Sequence, residues 1–141
     1  MTQPPPPQVW PSLRAHDAHA LIGFLTEAFG FEATAVYADG THVHHAQLSW
    51  PAGGGIMLGS AREEDSDEDP WPLRPGHFGA YVVVTEDPDA LFARAVAAGA
   101  TVVAEPHDTD YGTDGSRDFT VRDPEGNLWA FGTYRGEPRK G

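Results

Sequence analysis

The feature that most constrains the fold is an internal repeat, because the second half of the chain has the same order of predicted elements as the first. Asp17 and Asp87 each precede an apolar pattern with helical spacing, and these patterns end at Gly30 and Gly99. Each predicted helix follows one short strand pattern and is followed by three more. The sequence therefore predicts two units with the element order βαβββ.

The predicted elements follow from apolar periodicity and from the turn residues that separate the apolar runs. In the first half they are a strand at 9–14, a helix from 18 to 29, and strands at 32–37, 43–50 and 56–59; in the second half they are a strand at 77–84, a helix at 87–98, and strands at 101–105, 116–122 and 128–133. The same reasoning divides the chain into a disordered proline-rich arm at 1–8, a first module at 9–60, an acidic linker at 61–76, a second module at 77–135 and a tail at 136–141.

Composition excludes several classes of function. The chain has no cysteine, which excludes disulfides, thiolate catalysis and cysteine metal sites. Its formal net charge of −12 opposes binding to nucleic acid phosphates and favours cationic or neutral ligands. No apolar stretch approaches the roughly 20 residues needed to cross a bilayer, and the N-terminus has no secretory signal pattern. We expect a cytoplasmic protein that binds neither nucleic acid nor membranes.

Two segments resemble a known family. Residues 13–31 end in EAFGF, and residues 119–129 read FTVRDPEGNLW. With the tandem repeat, these motifs resemble the vicinal oxygen chelate superfamily, which includes glyoxalases, bleomycin-resistance proteins and extradiol dioxygenases. The resemblance covers about residues 9–135. It implies an α+β fold in which tandem βαβββ half-domains form a cupped mixed sheet, the glyoxalase/bleomycin-resistance fold, with the helices outside the cup.

The resemblance also implies four metal-ligand positions in the cup. Here they fall at Trp10, Gln47, Ala80 and Ala130. Indole and methyl side chains cannot coordinate a metal, and an amide oxygen is a weak neutral ligand. Without a metal, glyoxalase and dioxygenase chemistry lose their Lewis acid. We therefore expect no metal and no other cofactor.

Metal-free relatives capture antibiotics in a groove bounded by two subunits, so the resemblance implies a homodimer that binds a small organic ligand. Side chains alternate along strands, and this alternation predicts which of them line the cup. The candidate ligand-binding residues are Trp10, Arg14, His45, Gln47, Phe78, Ala80, Tyr111, Phe119 and Ala130. Trp10 and Phe78 are the expected walls, and Tyr111 belongs to a long loop that could close over the cup.

Three functions remain open at this point. The first is metal-independent binding that sequesters an antibiotic or another aromatic or cationic ligand. The alternative is a glyoxalase-like lyase or isomerase, either metal-free, with His45 as the candidate acid–base group and Arg14 holding an anion, or using non-standard metal ligands. The third is an interaction module that uses Trp71. Alternation places His42 and His44 on the face opposite Gln47, with no third metal ligand.

Overall fold

The computed structural model describes residues 6–62, 71–110, 112 and 114–137. Its elements are β1 (Ser12–Ala15), α1 (Ala18–Phe24), a π-helical turn (Leu25–Phe29), β2 (Glu32–Asp39), β3 (His42–Ser49), β4 (Gly55–Ser60), β5 (Gly79–Val83), α2 (Pro88–Ala97), β6 (Thr101–Thr109), β7 (Ser116–Arg122) and β8 (Leu128–Gly132). Two four-stranded mixed sheets form, with strand orders β1-β4-β3-β2 and β5-β8-β7-β6. The predicted tandem βαβββ α+β fold is confirmed. The predicted arm, acidic linker and tail lie partly outside the described residues.

Both helices begin within one residue of the predicted position. The Asp17 carboxylate accepts a hydrogen bond from the backbone N–H of Ala20, and Asp87 caps α2 in the same way. The first helix differs from a regular α-helix after Phe24, because its last turn is π-helical before the chain reverses at Gly30 with φ of 90°. Apolar spacing does not distinguish a π-helical turn from an α-helical one. No helix in the described part of the chain is long and apolar enough to cross a membrane.

The bounds of β1 and β6 differ most from their predictions. The first strand was expected at 9–14, but β1 is limited to Ser12–Ala15. The strand expected at 101–105 continues to Thr109 through Pro106, so the predicted long loop is shorter. Proline is tolerated here because β6 lies at the edge of its sheet, where the pairing register shifts between Ala104 and His107.

One hydrophobic core joins the two halves. Phe29, from the π-helical turn of the first half, contacts Trp129 and Phe131 of β8 at ring-centroid distances of 5.5 and 4.7 Å. Phe92 of α2 packs on Phe119 of β7 at 5.4 Å. We call the face of each sheet that packs on this core the helix face, and the opposite face the open face. Each open face is therefore turned away from this core.

The halves are also joined by reciprocal hydrogen bonds. The Glu125 carboxylate, in the turn before β8, accepts from the backbone N–H groups of His16 and Asp17 at 2.8 and 2.9 Å. In the other direction, the Trp50 indole N–H donates to the carbonyl of Val83 at 2.9 Å. Each half therefore places a turn against the strand–helix junction of the other half, and the sheets are fixed relative to one another.

Candidate ligand-binding site

The open face of the first sheet carries the four ligand-binding candidates from the first half. Leu13 pairs with Leu58 on the helix face, so Arg14 is turned to the open face. The Trp10 indole packs on Gly55, where a Cβ atom would come within 2.8 Å of the ring. The open-face candidates of β3 are His45 and Gln47. The sequence prediction that these residues share a face agrees with their placement.

A small pocket lies at one end of this open face. It has a volume of about 190 Å³, and Arg14, His44, His45 and Trp71 are among its lining residues. The Arg14 guanidinium donates to the backbone carbonyls of Ser60 and Trp71, each at 3.2 Å. These bonds hold Trp71, which is 53% exposed, at the rim of the pocket. Arg14 thus positions the rim of the pocket.

His44 is a correction to the sequence prediction, which placed it on the face opposite Gln47. In the pairing of β2 with β3, Tyr37 lies opposite His45 and the next residue, Ala38, lies opposite Val43. His44 is therefore the extra residue of a β-bulge, and a bulge changes the side to which a residue points. His44 and His45 consequently line the same pocket.

Phe78, Ala80 and Phe119 are further corrections, because all three lie on the helix face instead of lining the cup. Ala80 is the parallel neighbour of Trp129, which is fully buried. The Phe78 ring lies 5.4 Å from the Trp129 ring. Phe119 is fully buried and stacks on Phe131 at 5.0 Å. None of these three side chains is presented to a ligand on the open face.

The error at Phe78 and Ala80 has a simple cause in the spacing between strand and helix. Leu13 and Val82 occupy equivalent helix-face positions in the two sheets, since they pair with Leu58 and Phe131. Val82 precedes its helix cap, Asp87, by one residue more than Leu13 precedes Asp17. Counting back from the second cap therefore shifts every side chain of β5 to the wrong face.

The open face of the second sheet contains Ala130, as predicted, and residues that the prediction missed. Tyr81 lies beside Ala130, is 42% exposed and donates its hydroxyl hydrogen bond to the carbonyl of Tyr134. Asp118 accepts a short hydrogen bond from the Ser116 hydroxyl. Only the correct register of β5 would have revealed Tyr81. Tyr111, the remaining ligand-binding candidate, lies outside the described residues.

Two side chains of the second half have shifted pKa values. The hydrogen bond that Tyr134 donates to Glu137 raises the pKa of this phenol above its ordinary value, because it stabilises the protonated form. Hydrogen bonds to Asp89 and Asp108 likewise raise the pKa of Arg117. Neither side chain is among those that line the pocket beside Arg14.

The residues at the four expected metal positions do not fit a metal ion. Trp10 and Ala130 have no donor atom for a metal, and Gln47 offers one neutral oxygen. By sheet register, the structural counterpart of Trp10 in the second half is Gly79 instead of Ala80, and it also has no donor. Among the described residues, no group of three or more His, Cys, Asp or Glu side chains is arranged to hold a metal.

Comparisons with known proteins identify a family and several solved structures. The family model for the Glyoxalase/Bleomycin resistance protein/Dioxygenase superfamily matches residues 8–131. TioX from Micromonospora sp. ML1 is 31% identical, with a TM-score of 0.68 over 86% of this chain and 93% of that chain. TnmS3, an antibiotic binding protein from Streptomyces sp. CB03234, is 25% identical, with a TM-score of 0.60 over 85% and 88%.

A plant enzyme has the same fold as this chain but little sequence identity to it. The V278E mutant of glyoxalase I from Zea mays is 16% identical, with a TM-score of 0.62, and the match covers 87% of this chain and 43% of that chain. No curated protein sequence matches this chain.

Proposed function

This chain belongs to the glyoxalase/bleomycin resistance protein/dioxygenase superfamily, and we propose that it is a metal-independent binding protein that sequesters an aromatic or cationic organic molecule. One observation carries the proposal. The positions where the family has metal ligands hold Trp10, Gln47 and Ala130 here, and the fourth position, in β5, holds Ala80 or its neighbour Gly79, neither of which has a donor atom. A similar structure, TnmS3, is described as an antibiotic binding protein. Antibiotics are therefore the first ligand class to test. A protein that sequesters an antibiotic lowers the concentration of the free drug.

The open face of the first sheet supplies the surfaces that an aromatic ligand needs. Trp10 packs on Gly55 at one end of this face. Farther along, the His45 ring stacks on Tyr37 with a centroid distance of 6.1 Å and an interplanar angle of 24°. Flat rings add stacking to apolar burial, and cations are attracted to aromatic faces. The net charge of −12 further favours cationic ligands at long range.

We propose that a second copy of the chain completes the ligand site. Tyr37 and Tyr81 lie on the open faces of the two sheets and are 64% and 42% exposed. In the described residues, β1 and β5 are edge strands, each paired on one side. A homodimer would set the first open face of one subunit against the second open face of its partner. The aromatic residues of both faces would then border one groove, which is the arrangement typical of small-molecule sites.

The enzyme alternative receives less support from the side chains involved. Its metal-free form requires Arg14 to hold an anionic substrate, but two of the five N–H donors of this guanidinium are already bound to backbone carbonyls. The His45 ring stacks on Tyr37. This arrangement is as compatible with ligand stacking as it is with acid–base chemistry. We therefore retain binding as the proposed function.

The test combines metal analysis with titration of defined probes. Protein purified without chelator is analysed for Ni, Zn, Mn and Fe, and its Tm is followed as each is added, since a specific metal stabilises the folded state by mass action. Bleomycin and 9-aminoacridine are then titrated by calorimetry while light scattering reports the subunit number. We expect a dimer with saturable probe binding, no stoichiometric metal and no metal-dependent rise in Tm.

Variants at the N-terminal end of the site make the test specific. Trp10→Ala should weaken probe binding by about tenfold, because a large stacking surface is lost. Val9→Ala is the matched control, since Val9 is 83% exposed, and it should leave affinity within about twofold. One tightly bound metal per chain, or no saturable binding of either probe, would contradict the proposal.

A further inference from the structure

A second cavity lies within one chain, between β5 and the beginnings of β1 and β4. Its volume is about 420 Å³, which is within the usual range for small-molecule sites. Phe31, Trp50, Tyr81, Trp129 and Arg135 are among the residues that line it. It shares no lining residue with the pocket beside Arg14. Ala80, which the sequence assigned to a metal position, and Tyr81, which borders the proposed open-face groove, also line this cavity, whereas Trp50 and Arg135 belong to neither site.

Three aromatic side chains hold one another in place around the cavity. The Trp50 indole is fixed by its hydrogen bond to the Val83 carbonyl and by the Phe31 ring at 5.0 Å. Phe31 in turn contacts Trp129 at 5.6 Å. Trp129 is fully buried and donates its indole N–H to Asp123 at 2.8 Å. The aromatic surface is therefore largely preformed, so little binding free energy is lost in ordering these side chains around a flat ligand.

The charge of the cavity is opposite to that of the whole molecule. The chain has 21 acidic and 9 basic residues, yet Arg135 is the only charged residue among the described residues that line the cavity. Arg135 is exposed and follows the last strand of the second sheet. A guanidinium binds carboxylate, sulfonate and phosphate groups through paired hydrogen bonds. The cavity thus combines an aromatic wall with one cation and no lining carboxylate.

We propose that this cavity binds a planar aromatic acid, with its ring system against Trp50 and its anionic group at Arg135. The site lies within one chain, and although Tyr81 also borders the proposed open-face groove, Trp50 and Arg135 do not. Its preference for an anion is opposite to the preference that the net charge alone predicts. That opposition gives the proposal a direct test.

The test compares two probes of the same shape and opposite charge. Binding of 1-naphthoate and of 1-naphthylmethylammonium to the full chain is measured by calorimetry and by quenching of tryptophan fluorescence. We expect naphthoate to bind at least about tenfold more tightly, because only it can pair with the guanidinium. Equal affinities, tighter binding of the ammonium probe, or no saturable binding of naphthoate would overturn the proposal.

Variants assign the preference to Arg135. Arg135→Gln should weaken naphthoate binding by about five- to tenfold and leave the ammonium probe within about twofold, whereas Arg135→Lys, which keeps the charge but not the paired hydrogen bonds, should weaken naphthoate binding by less than Arg135→Gln does. The control is Arg122→Gln, an equal change of charge at an exposed position outside the cavity lining. If the Arg135→Gln and Arg122→Gln proteins bind naphthoate equally, the proposal fails.

Two further measurements locate the site and separate the two proposals. Ala80→Leu places extra atoms in the cavity and should weaken both naphthyl probes, provided that circular dichroism confirms folding; if this variant does not fold, the Arg135 variants decide alone. Tyr37→Ala, which changes the open face at a residue outside the cavity lining, should leave naphthoate binding within about twofold. A loss of naphthoate affinity in Tyr37→Ala would instead place the probe on the open face and overturn the cavity assignment.

Discussion

Among single residues, Asp123 organises the turn that joins β7 and β8. It is 4% exposed, and its carboxylate accepts hydrogen bonds from the backbone N–H groups of Glu125 and Asn127, from the Asn127 side chain and from the Trp129 indole. Such multiple acceptance satisfies a buried charge that would otherwise be costly. The turn in this geometry also presents Glu125 to the first helix, so one carboxylate supports both a strand and the contact between the halves.

Replacing Asp123 tests this role. Asp123→Asn removes the charge and turns one acceptor oxygen into a donor facing other donors, so the free energy of unfolding should fall by about 2–4 kcal/mol. Urea denaturation followed by tryptophan fluorescence measures the loss. Asp114→Asn is the control, because Asp114 is exposed and its replacement should change the free energy by less than about 0.5 kcal/mol. A loss below 1 kcal/mol at Asp123 would show that the network contributes little.

Arg14 and Trp71 support a second prediction at this scale. Because Arg14 donates to the Trp71 carbonyl, Arg14→Gln should release the rim of the pocket and increase acrylamide quenching of tryptophan fluorescence. The same Arg14 replacement in a Trp71→Phe background should add almost no further quenching, since the reporting indole is then absent. An equal increase in both backgrounds would mean that Arg14 acts elsewhere in the protein.

At the scale of elements, residue patterns predicted which helices and strands form but not every face. Trp129 and Phe131 lie on the helix face, as alternation along β8 predicts. His44 and Ala80 were misplaced for one common reason, an additional residue in a bulge or between a strand and its helix. Side-chain alternation has a period of two, so one added residue exchanges the faces. Whether a residue is added in this way depends on how the strand pairs with its neighbour. The periodicity of one strand gives no information about that pairing.

Arg94 connects α2 to the end of the first helix. From α2 it donates to the carbonyl of Glu27 at 2.7 Å and to that of Thr26 at 3.2 Å, near the end of the first helix, where carbonyls lack partners within the helix. Arg94→Met keeps much of the side-chain volume but removes both bonds. Urea denaturation should therefore report a loss of about 1–2 kcal/mol. Arg122→Met removes one hydrogen bond, to the Gly126 carbonyl at 2.8 Å, and should therefore cost less; equal losses would contradict this role.

At the scale of the whole molecule, the sequence predicted two similar halves, and the structure adds how they are joined. The repeat, the helix caps and the turn before β8 are local features, and each is visible in a short stretch of sequence. The proposed site is different, because its two open faces belong to different halves and are turned away from the shared core. No short stretch of sequence shows how the two open faces are placed relative to one another. This is why the fold could be predicted further than the site.

The shared core leads to a prediction about folding cooperativity. Phe29 of the first half is 1% exposed and packs directly on Trp129 and Phe131 of the second, so neither half retains its core when the other unfolds. We expect one calorimetric transition with equal van't Hoff and calorimetric enthalpies. Phe29→Ala should lower the free energy of unfolding by about 3–5 kcal/mol and keep a single transition. Tyr37→Ala, on the open face, should cost far less. Two separated transitions in the unmodified protein would show that the halves fold independently.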